Sequence, residues 1–294
     1  MFWLLACATP EPAAALPDPA TVPLEGACPA ASRYGGFEVS VAEGYSTVSG
    51  SVADGVVPTS VPTEVTTDGE CRLLRRENPY CDPGCESGET CDLDGTCVPY
   101  PTNLDVGTVT LEGLAESLSL TATPPSNTYF DTDVPHPVYA ADATIELVAP
   151  GFTLHGVGPE ALSTDDLDWV VGDGALAVTW DAPTGLGRST VELRLTVDQH
   201  GATPLSVVCD FADDGAGEVS EGLIDGLLDA GVTGWPNGTL TRFTADSVEG
   251  DSCVDLLVTR PVLATVTVSG HTPCDSFDDC PAGQFCDLVL ETCL

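Results

Sequence analysis

The sequence predicts a mainly β protein: an Ig-like antiparallel β-sandwich with one short helix, plus a small N-terminal β unit and two small disulfide knots. Three observations carry this reading. Apolar and polar residues alternate in about seven to nine short runs between residues 100 and 270, as the strands of a sandwich do. Helical spacing occurs once, and cysteine clusters of one pattern stand on either side of the runs.

The clearest strand is Val191-Glu-Leu193-Arg-Leu195-Thr-Val197, with four apolar residues on one face and charges or Thr on the other. Such alternation marks a half-buried strand of an antiparallel sheet. Val109 with Leu111, Leu118 with Leu120, Ile145 with Leu147, and Leu176 with Val178 and Trp180 repeat it. The runs Leu205–Cys209, Val254–Val258 and Val262–Val268 complete the set. The helix follows Ser220, a residue type that caps, with Leu223, Ile224, Leu227 and Leu228 on one face and Gly231 as the stop. It is expected to plug an open end of the sandwich. Trp180 precedes both Cys209 and Cys253, whereas an immunoglobulin domain places its Trp between the bridged pair. The expectation is therefore of Ig-like architecture, not of that family.

Before this body, Phe37 to Val41 alternate and Tyr45 to Val52 continue as β-branched and glycine-rich sequence, so residues 26–75 read as a separate small β unit. Residues 76–99 and 271–294 are the two knots. Their likeness runs residue by residue: Cys85-Glu-Ser-Gly88-Glu-Thr-Cys91-Asp92-Leu93 matches Cys280-Pro-Ala-Gly283-Gln-Phe-Cys286-Asp287-Leu288, and both end in Thr-Cys. Of thirteen cysteines, twelve fall into even blocks. They are expected to pair within blocks: Cys28 with Cys71, two bridges among Cys81, Cys85, Cys91 and Cys97, Cys209 with Cys253, and two among Cys274, Cys280, Cys286 and Cys293. Within each four-cysteine knot three connectivities stay open. Disulfides in this number imply an oxidising compartment and hence export.

The remaining cysteine stands at the end of Leu4-Leu5-Ala6-Cys7, which resembles the bacterial lipobox, in which the cysteine is lipidated and becomes the mature N-terminus. The resemblance implies a truncated signal over residues 1–7, lipid on Cys7, and a true translation start upstream. Residues 8–25 are rich in Pro and Ala, the composition of a stiff tether. No later run approaches the ~18 apolar residues that span a bilayer, so membrane attachment is expected through the anchor.

Forty-six acidic residues face eight basic ones, for a formal net charge of -38. All eight are Arg. A chain so anionic is repelled by phosphate backbones, which excludes nucleic acid as a partner. The one concentrated basic spot, Arg72, Arg75 and Arg76, is expected to pair with neighbouring carboxylates.

For chemistry the sequence offers fragments. Asp165, Asp166 and Asp168, Asp210, Asp213 and Asp214, and Asp278 and Asp279 are carboxylate clusters, and Asp92-Leu-Asp94-Gly95 is half of a calcium loop. No complete motif exists, so turns and solvated loops are expected, with no cofactor, calcium being the one ion that the half-loop would suit. His136, His155, His200 and His271 lie too far apart for a zinc pair at helical spacing. Asp198 and His200 have no Ser or Cys partner in sequence and are assigned to an edge hydrogen bond. The most unusual loop is Ser126 to Tyr139, where Tyr129, Asp131 and His136 are the ligand-binding candidates: rings supply stacking area and polar groups fix orientation.

Over most of its length the chain resembles the hypothetical cysteine-rich surface lipoproteins of myxobacteria, through Cys7, the Pro/Ala tether, and the Cys85–Asp92 and Cys280–Asp287 motifs; the knots are also similar to small EGF-type modules. The resemblance implies location in the cell envelope, at the outer membrane, and contact work, with no activity attached. Two functions follow as expectations. The first is a non-catalytic, lipid-anchored envelope protein that presents its β-sandwich for adhesion or binding, with a surface glycan or protein as partner. The alternative is an exported hydrolase or a carbohydrate- or calcium-binding accessory with a site near residues 126–139 and His200. Clustering of Tyr129, Asp131, His136 and His200 in one pocket would favour the alternative.

Overall fold

The computed structural model describes residues 15–198, 200, 203–248 and 252–294. Cys7 lies outside these residues. In chain order the strands are β1 (Arg33–Ala42), β2 (Tyr45–Val52), β3 (Thr63–Asp68), β4 (Cys71–Arg75), β5 (Glu89–Cys91), β6 (Cys97–Pro99), β7 (Val109–Glu112), β8 (Leu118–Leu120), β9 (Tyr129–Asp131), β10 (Thr144–Ala149), β11 (Phe152–Val157), β12 (Asp168–Val171), β13 (Leu176–Thr179), β14 (Thr190–Thr196), β15 (Leu205–Ala212) and β16 (Ala216–Val219). Helix α1 (Glu221–Leu228) follows, then β17 (Asn237–Val248), β18 (Cys253–Val268), β19 (Cys286–Asp287) and β20 (Thr292–Cys293).

The chain is mainly β, and its body is built of packed sheets. A ten-stranded sheet runs β3-β4-β15-β14-β17-β18-β1-β2-β9, with β12 added alongside β18; β11-β10-β7-β8 form a second sheet and β13-β16 a third. Its spine is the antiparallel pair β17 and β18, in register from Asn237 opposite Thr265 to Val248 opposite Val254. The runs around Val254–Val258 and Val262–Val268, two strands by sequence, are one strand here. Its other edge is used twice, each time in parallel: Cys253 to Thr259 pair with β1, and Thr265 to Val268 with β12. Pro261 falls in the gap between them. Without an N–H it is tolerated in a strand where no neighbour needs the bond.

One face of this spine serves two cores. Val254, Leu256 and Val258 pack with Phe37, Val48, Tyr129, Leu111, Ile145 and Leu154 between the main sheet and the β7–β11 sheet. Further along, Val262, Ala264, Val266 and Val268 meet Trp169, Leu193, Leu195, Val207, Leu240 and the α1 residues Leu223, Ile224 and Leu227. Between the cores on the same face stand Arg260 and, directly opposite it on β17, Arg242. Like charges set opposite each other destabilise a strand pair, and here a carboxylate and backbone carbonyls offset them. Arg242, 1% exposed, forms a buried ion pair with Asp213, with Nε 2.7 Å and Nη2 2.8 Å from the carboxylate oxygens. It also donates to the carbonyls of Ala161 and Asp181, at 2.9 and 2.6 Å. Arg260 Nε donates to the carbonyl of Pro159 at 2.8 Å, and its guanidinium lies 5.0 Å from the centre of the Tyr139 ring. The two arginines thus hold the 159–161 crossing, which carries the chain from one core to the other.

Helix α1 buries the predicted face, but the hydroxyl of Ser220 makes no capping bond; the N–H groups of Leu223 and Ile224 reach the Ser220 carbonyl instead. Residues 26–75 are not a separate unit: β1 and β2 lie on one side of the spine and β3 and β4 on the other, all in the ten-stranded sheet.

The same topology corrects two disulfides. Cys28 bridges Cys253 and Cys71 bridges Cys209, in place of Cys28 with Cys71 and Cys209 with Cys253. Cys71 on β4 is directly opposite Cys209 on β15, and Cys28 precedes β1, whose first residue pairs with Cys253. The sheet brings together cysteines 138 and 225 residues apart, which proximity along the chain does not reveal. The knots pair internally: Cys81 with Cys91 and Cys85 with Cys97 in the first, Cys274 with Cys286 and Cys280 with Cys293 in the second.

Two outcomes test this account. Non-reducing peptide mapping should recover linked peptides containing Cys28 with Cys253 and Cys71 with Cys209. Arg242→Met should lower the free energy of unfolding by about 3–5 kcal/mol, because it strands the buried Asp213 carboxylate, whereas Arg242→Met with Asp213→Leu should recover part of that loss. Chemical denaturation measures both, and equal stability of Arg242→Met and the parent would contradict the role given to the pair.

Candidate functional site

The residues singled out by sequence do not meet. Tyr129 and Asp131 share one parity on β9, and Phe130 has the other. Tyr129 turns inward, 1% exposed, with its ring centre 5.6 Å from that of Phe37. Its hydroxyl donates to the Gly107 carbonyl at 3.0 Å and accepts from the Val106 N–H at 2.9 Å. Tyr129 is therefore a core residue and not a ligand contact. Asp131 accepts the Asp133 N–H at 2.8 Å, which shapes the turn after β9.

His136 stands apart, with Nδ1 2.9 Å from Ser46 Oγ. That hydroxyl is buried and also accepts the Val138 N–H at 3.2 Å, so the pair ties a loop to β2 and offers no reachable nucleophile. His200 is at the C-terminal knot, Nε2 3.2 Å from Glu291. The Asp198 carboxylate accepts from Thr233 Oγ1 at 2.5 Å, and that hydroxyl accepts the His200 N–H at 3.1 Å. His155 lies between Glu146 and Asp246, at 3.4 and 3.8 Å, and His271 Nε2 is 2.8 Å from the Gly234 carbonyl.

Several members of the carboxylate clusters are engaged within the fold. Asp210 pairs with Arg72, and Asp213 with Arg242. Asp94 accepts both the N–H and the hydroxyl of Thr96, and these bonds hold its carboxyl below the usual range. Among the described residues, the groups of three possible metal-ligating side chains close enough to share an ion are in the knots, where every cysteine sulfur is in a disulfide.

What sequence reasoning passed over is the outer face of β1, β2 and β9. A groove of about 630 Å³ runs there, with Glu38 of β1, Ser49 and Ser51 of β2, and Thr123 and Thr128 before β9 along it. Phe130, 61% exposed, stands at its side, opposite Ser49 in the β2–β9 register. One glycine shapes it: a Cβ at Gly36 would lie 2.0 Å from Asp255 Oδ1. Gly50 faces the core instead, where a Cβ would lie 2.2 Å from the Phe37 ring. Beneath one end, Arg33 binds the buried Asp255 at 3.0 Å, and the Cys28 N–H reaches the same carboxylate at 3.1 Å. Glu38 is oriented by the Thr259 hydroxyl at 2.8 Å. The groove thus offers a free aromatic face, several hydroxyls, one carboxylate and one guanidinium on regular strands. Such a surface can stack a flat apolar face and hydrogen-bond a polar rim. The signal was in the sequence: in a strand that buries Tyr129, period-two alternation turns Phe130 outward.

No protein-family model matches the chain. No curated protein matches it. Among solved structures it is similar to a Ca2+-stabilized adhesin that helps an Antarctic bacterium reach out and bind ice, at 16% identity and a TM-score of 0.17, over 81% of this chain and 50% of that one. The chain spans about half the length of that adhesin, and the superposition is too loose to carry an argument. The class defined by the fold itself is an exported, disulfide-bonded β protein; six bridges of this kind persist in oxidising compartments. Among the described residues no helix is long and apolar enough to cross a membrane.

The tyrosines that seat the 126–139 segment make its order alkali-sensitive. Burial pushes the Tyr129 phenol up, with Asp105 adding to the rise, and burial pushes Tyr139 up further. A group whose folded pKa is raised contributes stability that is complete below the unfolded value, about 10 for Tyr, and is lost as pH rises through the folded value. Unfolding free energy should therefore fall above pH ~10, and Tyr129→Phe should weaken the dependence; an unchanged profile would contradict the buried position of that phenol.

Proposed function

We propose that this protein is a non-catalytic binding protein of the bacterial cell envelope, lipid-anchored through Cys7, whose groove on β1, β2 and β9 takes a surface glycan. The observation that carries the reading is Phe130 held solvent-exposed beside Ser49 and Glu38 on a strand too short and too well paired to fold the ring away. Sugars present an apolar face for stacking and a ring of hydroxyls, the complement of this surface. A binding role is further supported by the employment of all four histidines in structural contacts. Residues 8–14 keep the Pro/Ala-rich composition of a stiff spacer behind Cys7, but the expected tether does not run to residue 25: Val22 is buried, the Pro17 and Pro19 carbonyls accept from Thr144 and Arg188, and the Glu25 N–H reaches Asp246, so this part lies on the body. The outer membrane is the compartment that fits the lipobox resemblance, and the net charge of -38 speaks against nucleic acid as partner.

Two experiments test the two halves of this proposal. On a glycan array, the fragment following Cys7 should bind a defined subset of sugars, and Phe130→Ala should weaken that binding at least about tenfold, with the fold intact by circular dichroism. Binding unaffected by Phe130→Ala would remove the groove from consideration. Separately, Cys7→Ser, expressed behind a full signal sequence, should shift the protein from the membrane pellet to the soluble fraction; continued pelleting would contradict the anchor.

A further inference from the structure

The two knots constitute an internal comparison. They share one motif and one bridge pattern, first cysteine to third and second to fourth. Their surfaces differ. The position of Thr90 in the first knot is Phe285 in the second, and that of Asp94 is Val289. Phe285 and Val289 are 57% and 78% exposed. Phe277, Leu288 and Leu294 are exposed as well, whereas in the first knot the exposed large apolar side chains are Leu93 and, before its first cysteine, Tyr80. The fold of the module therefore does not require the apolar residues, since the first copy closes the same bridges without them.

These side chains are displayed on ordered backbone. Phe285 and Leu294 exchange both backbone hydrogen bonds, at 3.1 and 2.9 Å, which sets them side by side on the face opposite the neighbouring Cys286–Cys293 pair. The Asp287 carboxylate accepts the N–H groups of Val289 and Leu290 and so fixes the turn that carries Leu288 and Val289. Asp279 ties Phe277's short helical turn by accepting from Ser276 and Asp275. The module is docked on the body through Gly234, whose N–H reaches the Leu290 carbonyl at 2.8 Å, and through the His200 contact with Glu291. Around the apolar residues stand Asp275, Asp278, Asp279, Asp287 and Glu291, and residues 261–294 contain neither Lys nor Arg.

From these observations we infer that the C-terminal knot is a protein-docking surface, and that its partner is a polypeptide segment with an apolar face bordered by basic residues. Charge complementarity selects this occupant. A second copy of the chain would bring another acidic rim and another charge of -38 against the first. An anionic lipid surface would be repelled in the same way. The inference is independent of the glycan groove, which lies on β1, β2 and β9.

The test transfers first-knot residues into the second: Phe285→Thr with Val289→Asp. Peptide mapping should still find Cys274 linked to Cys286 and Cys280 to Cys293; if the double variant misfolds, Val289→Asp alone, at the exposed turn, takes its place. The probe is a synthetic amphipathic Leu/Lys helix, titrated calorimetrically at physiological salt against the whole exported chain. The parent should bind it, and the variant should bind at least about tenfold more weakly although its charge is one unit more negative. Electrostatic attraction alone predicts the reverse, so equal or tighter binding by the variant overturns the inference. So does failure of the parent to bind, equal affinity for a Ser/Lys peptide of the same charge, preferential partitioning onto phosphatidylcholine vesicles, or dimerisation through this face in sedimentation.

Discussion

The pairing of β17 with β18 is the constraint on which the other elements depend. It is the longest ladder in the sheet, and both hydrophobic cores rest on a single face of it. Where one core ends and the other begins, the face carries Arg242 and Arg260 in place of aliphatic residues. Burying two guanidinium groups is costly unless their donors are satisfied. Asp213 neutralises the first, and the carbonyls of Pro159, Ala161 and Asp181 accept from the two. A strand pair that would otherwise be one uninterrupted apolar surface is thus divided at a defined residue. The β11–β12 crossing is held at that division.

Covalent bonds then secure the outer strands to this spine. Cys28–Cys253 fastens the entry to β1 at the start of β18, and Cys71–Cys209 fastens β4 to β15. Both close very long loops, the situation in which restriction of the unfolded chain is greatest, about 5 kcal/mol each in the chain-entropy account. The first of these bonds also restrains the groove, since β1 is its floor and Arg33 and Asp255 lie beside that bridge. Of the few arginines, Arg33 and Arg242 meet buried carboxylates, and Arg188, Arg242 and Arg260 meet backbone carbonyls.

Local features of the fold were legible in the sequence, and global ones were not. Val191 to Val197 alternate because one face of β14 is buried, and that pattern needs no knowledge of partners. The helix after Ser220 and the repeated knots are equally local. Strand neighbours are another matter. Nothing in residues 33–42 states that they lie parallel to residues 253–259, so the N-terminal β unit seemed separable and Cys28 was assigned to Cys71. The runs Val254–Val258 and Val262–Val268 read as two strands, and they are one strand that at Pro261 lacks a neighbour on one edge. At the proposed groove, aromatic and polar composition pointed to Tyr129, whereas the ring left in solvent is that of Phe130. Tyr129 attracts notice because it combines stacking area with a hydroxyl, yet that hydroxyl is what allows it to be buried against Val106 and Gly107. Phe130, with no polar group, is the residue left in solvent.

The central claim is that a rigid groove on β1, β2 and β9 meets the ligand. A direct measurement is the set of backbone amide chemical-shift changes in isotope-labelled protein as a bound oligosaccharide is titrated in. The account predicts that the largest changes fall in residues 33–38, 47–51 and 123–130, with the spine and both knots unmoved. Changes centred instead on His136 and Arg260, or on the C-terminal knot, would contradict it.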